Sequence, residues 1–204
     1  GICGSGLIIM VAVMFEMGII NNLGKFDRDL DTPRIREDNG IYEYVLAWKD
    51  ETQIDRDVTL TEIDIENLIR AKGAIYSGCM TLLTEVGMSI TDIEHIILAG
   101  GFGSYVDLEK AMTIGLLPEM DTDKVTFIGN GSLMGARMSS LTNRIRQDVS
   151  EVTKKMTNFE LSDTSSYMDN YVAALFLPHT DMNQFPRLKS RLEARKKLKL
   201  KIED

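Results

Sequence analysis

The residues best placed to do chemistry in this sequence are glycines, in three short segments. Ile96-Ile97-Leu98-Ala99 runs into Gly100-Gly101-Phe102-Gly103, and Val125-Thr126-Phe127-Ile128 runs into Gly129-Asn130-Gly131-Ser132. Each reads as a short buried strand that ends in a glycine turn, the second with a helix starting near Ser132. Glycine at a strand end permits backbone angles closed to other residues and lets a flat ligand approach the main chain. A helix start beside such a turn offers free N–H groups and a partial positive charge to phosphate. Ligands of open α/β sheets sit beyond the carboxyl ends of the strands, where both turns fall. One such turn is commonplace. Two of them, about thirty residues apart in one α/β unit, favour a nucleotide site. Neither matches the P-loop or the dinucleotide fingerprint. The third segment, Gly4-Ser5-Gly6, precedes an apolar run and could either wrap a phosphate or form a tight turn that packing requires.

Other chemistries find little support. Cys3 and Cys79 form no CxxC pair and no metal-ligand spacing, so these residues cannot hold an ordinary Cys-ligated iron–sulfur cluster. Such cysteine usage fits a reducing cytoplasm. His95 and His179 stand far from Cys3 in sequence, and Cys3 reads as a small buried residue rather than a nucleophile. Asp92 and Asp107 flank the Gly100 turn, where helix-capping explains each. The net charge of −8 argues against nucleic acid as a partner. The last stretch is locally basic, with Arg187, Lys189, Arg191, Arg195, Lys196, Lys197, Lys199 and Lys201. It reads as a solvated terminal helix or as a docking surface for an acidic partner. Leu7 to Val13 is too short to span a bilayer and reads as a buried helix.

The elements that must position the glycines follow from periodicity and punctuation. A helix is expected over the apolar stretch Leu7 to Ile20, with Ser5 as N-cap and Gly18 near its end. Residues 25–40 read as a loop. Ile41 to Trp48 alternates as a strand, and Val58 to Leu60 can pair with it antiparallel. A long helix spans about Glu62 to Val86, with Ile65, Leu68, Ile69, Ile75, Cys79, Leu82 and Val86 at helical spacing. Gly73 and Gly78 inside it each cost about 1 kcal/mol relative to Ala, tolerable where another backbone packs closely. Asp107 to Gly115 reads as a helix, and another starts near Ser132 and runs towards Lys155. Beyond it come a strand candidate at Asn158 to Leu161 and helices at Tyr167 to Phe176 and Pro186 to about Lys199. The order implies an α/β fold with some parallel strands.

Beside this reading stands a resemblance. Gly1-Ile-Cys-Gly-Ser-Gly-Leu-Ile, Leu68-Ile-Arg-Ala-Lys-Gly-Ala-Ile-Tyr76, Ile97-Leu-Ala-Gly-Gly-Phe-Gly103, Ile114-Gly-Leu-Leu-Pro118, Phe127-Ile-Gly-Asn-Gly-Ser-Leu-Met-Gly-Ala136 and Ala173-Ala-Leu-Phe-Leu-Pro-His-Thr180 resemble the reductive activators of corrinoid enzymes. These segments cover most of the chain in order. The resemblance implies an actin-like, ribonuclease H-like ATPase subdomain with a mixed sheet flanked by helices, over residues 1–157. A mainly helical C-terminal extension follows over 158–204. It implies the superfamily of acetate and sugar kinases, chaperone ATPases and actin, with ATP and Mg as cofactors of the full-length protein.

The same resemblance implies the function: ATP-driven return of a Co(II) corrinoid protein to Co(I) for methyl transfer. Its partner is the corrinoid protein of a methyltransferase system, and a homodimer stays open. The [2Fe-2S] domain of that family lies upstream of the matching region. Ala99-Gly100-Gly101-Phe102-Gly103 resembles the adenosine motif, and Gly129-Asn130-Gly131-Ser132 the second connecting motif. Gly4, Ser5 and Gly6 face phosphate in the same reading. The superfamily's Asp-x-Gly-Thr phosphate hairpin is absent, so this chain is expected to hold the adenosine side without turning over ATP by itself. A small-molecule kinase of the superfamily and a non-catalytic docking module are the alternatives.

Overall fold

The computed structural model describes residues 2–101 and 105–203, with the backbone alone at 162 and 196–203. In chain order the elements are α1 (Gly4–Met17), β1 (Ile35–Asp38), β2 (Ile41–Ala47), β3 (Val58–Thr61), α2 (Glu62–Glu85) and β4 (Ile96–Leu98). There follow α3 (Leu108–Thr113), β5 (Val125–Phe127), α4 (Gly131–Leu141), α5 (Asn143–Lys155), α6 (Ser165–Ala173) and α7 (Pro186–Glu203).

α1 is apolar nearly all round, and it accordingly runs through the main core. Its Ile8, Val11, Ala12 and Met14 pack with Ile20, Phe26, Leu60, Ile65, Ile69, Ile114 and Leu177. The helix is capped two residues earlier than expected. Cys3, not Ser5, is the N-cap, its sulfur accepting from the Gly6 amide, and Gly18 closes the other end at φ 70°. Cys3 is also exposed rather than buried, as is Cys79.

The expected ribbon is present and gains a strand. β1 pairs antiparallel with β2, and β2 with β3. Residues Ile35 to Asp38 were expected as loop because Pro33 and four nearby charges hide any alternation. What makes them a strand is the Asn39-Gly40 turn, with φ of 50° and 80°, the mirror-type hairpin geometry that matches strand twist. Tyr42, Tyr44 and Leu46 face the core. On the other face buried Glu43 meets Arg36 at 2.8 Å, and Arg36 also meets Asp57 at 2.8 Å.

α2 begins with a capping box between Thr61 and Asp64. Only the first half of the expected apolar stripe goes inside. Ile65 and Ile69 are buried, whereas Ile75, Leu82 and Val86 are exposed. The second half instead buries Gly73, Tyr76, Ser77, Gly78 and Thr81, because α6 packs there. A Cβ on Gly73 would meet the Ala174 carbonyl at 3.3 Å, so this glycine does admit a neighbouring backbone. Asn170 of α6 donates to Thr81 Oγ1 at 3.0 Å.

β4 and β5 form a parallel pair, Ile96 opposite Val125 and Leu98 opposite Phe127. One face packs on Ala111 and Met112 of α3 and on Leu117 just beyond it. The single helix expected from Ser132 to Lys155 is two helices. Thr142 is extended, φ −151° and ψ 138°, and its hydroxyl accepts from the Arg144 amide. A threonine that caps a new helix competes with continuing the old one. Asn158 to Leu161 forms no strand; it is irregular and leads into a short 3₁₀ turn at Leu161–Asp163.

The basic helix α7 is tied down by acids. Both carboxylate oxygens of Glu119 accept amides at its start, Arg187 at 2.7 Å and Leu188 at 3.0 Å. Arg187 reaches Asp121 at 2.6 Å, Arg191 reaches Glu16 at 3.5 Å, and Arg195 donates to the Glu16 carbonyl. Positions 187, 191 and 195 share one helix face, so much of the described basic charge is an intramolecular clamp. Glu119→Ala removes both caps and is expected to cost about 1–2 kcal/mol. Hydrogen exchange should show it as faster exchange confined to the start of α7; unchanged protection there would contradict the capping role.

Candidate nucleotide site

The two strand-end turns are brought together. Because β4 and β5 are adjacent and parallel, their carboxyl ends lie side by side. Gly100 N–H donates to the Gly129 carbonyl at 2.6 Å, and Ile128 N–H to the Leu98 carbonyl at 3.0 Å. Gly100 sits at φ 107° and Gly129 at φ 64°, angles that L side chains rarely adopt. A Cβ added at Gly100, Gly101 or Gly129 would find nothing within 4 Å. The turns are therefore glycine because of their backbone angles, with no described residue crowding them.

Gly131 differs. A Cβ there would approach Ile128 at 3.3 Å and Ala99 at 3.5 Å, so it lets α4 start tight against the first turn. Asn130 caps α4, its Oδ1 accepting from the Leu133 amide at 3.0 Å. Ala99, Gly101, Asn130 and Ser132 are exposed around the joined turns. Phe102 and Gly103 lie outside the described residues.

Gly4-Ser5-Gly6 opens α1 and its bonds are internal. Ser5 Oγ lies 3.4 Å from Cys3 Sγ, which also accepts the Gly6 amide at 3.4 Å. Those two contacts hold the Cys3 thiol below its ordinary range, the Ser5 hydroxyl contributing most. Asp107 caps α3, with its carboxylate on the Lys110 amide at 3.0 Å. Asp92 accepts from the Ser89 amide and hydroxyl, and these bonds lower its titration. Both acids are thus occupied as turn and helix caps. Among the described residues no cluster of His, Cys, Asp and Glu could hold a metal ion.

Three other segments quoted above meet elsewhere, at a packing junction. Lys72 of α2 is fully buried, and its Nζ donates to the carbonyls of Phe176 and Pro178. Gly115, at φ 74°, lets the Pro178 carbonyl approach so closely that a Cβ would sit 2.2 Å from it. Gly73 receives Ala174. The segments 68–76, 114–118 and 173–180 are thus bound into one joint. Sequence reasoning missed Lys72, since a lysine at a helical core position reads as a surface residue unless its partners are known.

Comparisons with known proteins place the chain in a family. Residues 1–189 match the family described as the C-terminal domain of RACo, the ASKHA domain. The chain belongs to this family. The corrinoid activation enzyme RamQ of Eubacterium limosum is 31% identical over 179 residues, which cover 84% of this chain and 30% of RamQ. A reductase of the methylated amine-specific Co(II) corrinoid protein of Methanosarcina barkeri is 36% identical over 115 residues, 56% of this chain and 21% of that protein. A solved structure named reductive activator for corrinoid, iron–sulfur protein superposes with a TM-score of 0.83 at 46% identity, covering 92% of this chain and 30% of that one. The ASKHA chain thus spans less than a third of the length of these relatives, and its α/β architecture is that of the actin-like fold. No described helix of this ASKHA chain is long and apolar enough to cross a membrane.

Proposed function

We propose that this chain is the adenosine-side part of an ATP-dependent reductive activator, which returns a Co(II) corrinoid protein to Co(I) for methyl transfer. The observation that carries the reading is the hydrogen-bonded pair of glycine turns, uncrowded by any described residue, in a chain of the ASKHA family. Gly100 and Gly101 let the flat face of the nucleotide lie on the main chain, and α4 starts beside it with the positive end of its dipole. Mg and the phosphate grip belong to parts of the full-length protein beyond these residues, as does the [2Fe-2S] centre. Nucleotide binding then favours one closure state of the domain and one complex with the corrinoid protein. Residues 1–157 form the ATPase part and 158–204 the helical extension. The setting is cytoplasmic, and the activator works as a homodimer or as a single copy.

The test uses the full-length protein. Gly101→Leu places a side chain where no described residue crowds it, at an ordinary φ, so the fold is expected to survive. ATP affinity should fall at least about tenfold, the effect of losing roughly 1.4 kcal/mol of contact, with an unchanged melting temperature in the absence of nucleotide. Corrinoid reduction should fall with it. Reduction that proceeds equally well without nucleotide would contradict the reading. Phosphorylation of a metabolite in place of corrinoid reduction would favour the kinase alternative.

A further inference from the structure

A sizeable cavity lies away from the glycine turns. It is an open cleft of about 1190 Å³ between the end of α1 with its following loop and the segment Leu177–Arg195, and none of the candidate nucleotide residues lines it. Its floor includes Phe15, Ile20, Leu177, Met182 and Leu192. An open cleft of this size with an apolar floor and a polar rim is what a preformed ligand site looks like.

One polar group in the cleft wall is built in. His179 lines it and is only 8% exposed. Its Nδ1 accepts the Asp181 amide at 3.0 Å, which puts the proton on the other ring nitrogen. That N–H meets no hydrogen-bond partner among the described residues. Burial, and then the charge of Lys72, lower the titration of His179, so near neutrality the ring is an uncharged donor. The ring is mostly buried, but this N–H is open to the cleft, where it can donate to a ligand oxygen.

The rim carries charges of both signs, and their internal partners differ. Lys25 is paired with Glu62 at 3.1 Å, and Glu16 with Lys110 at 2.5 Å. Among the described residues Lys189 bonds only the neutral Asn183, and Arg195 only a backbone carbonyl; Glu193 lines the cleft between them. These two cations come from the same helix, α7, and line the cleft together with His179, Asp27 and Asp29.

The geometry points to a second binding site in this cleft, for a small amphipathic organic anion. An acid oxygen of the ligand accepts from His179 and faces Lys189 and Arg195, while its apolar body lies on Phe15, Leu177, Met182 and Leu192. The site is independent of the nucleotide reading, since it shares no residue with it.

The probe is anilinonaphthalene sulfonate, which joins an apolar body to an acid oxygen, titrated into the full-length protein with isotope-labelled methionine methyl groups. Met17 and Met182 line the cleft, whereas Met134 and Met138 lie on the exposed face of α4 and report non-specific apolar binding. The expected result is a joint, saturable shift of Met17 and Met182. Leu192→Glu should abolish it. His179→Gln, which keeps a donor, should preserve it, and His179→Leu should weaken it about tenfold. Shifts at Met134 and Met138 alone would overturn the proposal, as would unchanged saturation in Leu192→Glu. Probe binding that disappears as protein concentration rises would show a second copy covering the cleft, and would overturn it too. Should His179→Leu fail to fold, the Leu192→Glu result decides.

Discussion

Lys72→Met is expected to destabilise the chain by about 2–6 kcal/mol, because it strands two buried carbonyls at roughly 1–3 kcal/mol each. Methionine has nearly the same length and fills the same space, so packing changes little. The acceptors left behind are Phe176 and Pro178. The loss should depend on pH. Burial depresses the Lys72 ammonium from 10.5 to about 7 in the folded chain. Between those values the unfolded lysine keeps a proton that the folded one has shed. The unfolded state then binds more protons, so stability rises as pH increases from about 7 towards 10.5. Below about 7 both states are protonated and this group adds no slope. The chemistry has a simple reason: a neutral amine offers two N–H donors to two carbonyls, whereas an ammonium carries a third donor into a dry site. The Lys72→Met penalty should therefore be larger at pH 9 than at pH 6 in denaturant titrations. A penalty independent of pH would sink the titration argument, and no penalty at all would sink the clamp.

Gly115→Ala is expected to be at least as damaging, costing roughly 3 kcal/mol or more. Two penalties combine. Alanine at φ 74° costs about 1–2 kcal/mol, and its Cβ would sit 2.2 Å from the Pro178 oxygen and 2.9 Å from its carbonyl carbon. Both contacts are with backbone, so no side chain can rotate away. Gly40 provides the comparison. It has φ 80° but nothing within 4 Å, so Gly40→Ala should cost only the angle, about 1 kcal/mol. Thermal melts of the two variants separate the contributions; equal losses would mean the close approach at Gly115 carries no weight. Because Lys72 and Gly115 hold the same carbonyl, their double variant should lose less than the two single losses combined.

Much of the fold is legible in the sequence because its punctuation is local. Gly18, Gly87 and Gly115 end helices at positive φ, and the two strand–glycine turns announce themselves by composition. The resemblance supplies what composition cannot, the actin-like architecture. What stays hidden depends on partners distant in the chain. β1 exists only because the Asn39-Gly40 turn folds it onto β2. The outward Ile75, Leu82 and Val86 read as core, since periodicity reports one apolar face and not which neighbour covers it. The α4–α5 break rests on one threonine hydroxyl, a signal no different from that of a threonine inside a helix. Arg187, Arg191 and Arg195 look solvated until Glu16, Glu119 and Asp121 are brought beneath them. Of the candidate site, the pairing of two turns was readable from their shared design; their freedom from crowding by any described residue was not.

The 2.6 Å bond from Gly100 to Gly129 makes the two turns one mechanical part. Each glycine has a soft backbone, but the shared bond removes most of the freedom that softness would give. A tilt of the first turn has to travel through Gly129 into Asn130, and from there into the axis of α4. Thr142 marks the next place where the chain can bend. The short helix between them behaves as a crank arm some eleven residues long, pinned at one end by a hydrogen bond and jointed at the other. A sub-ångström displacement at the glycines can thus emerge as a larger swing where α5 begins.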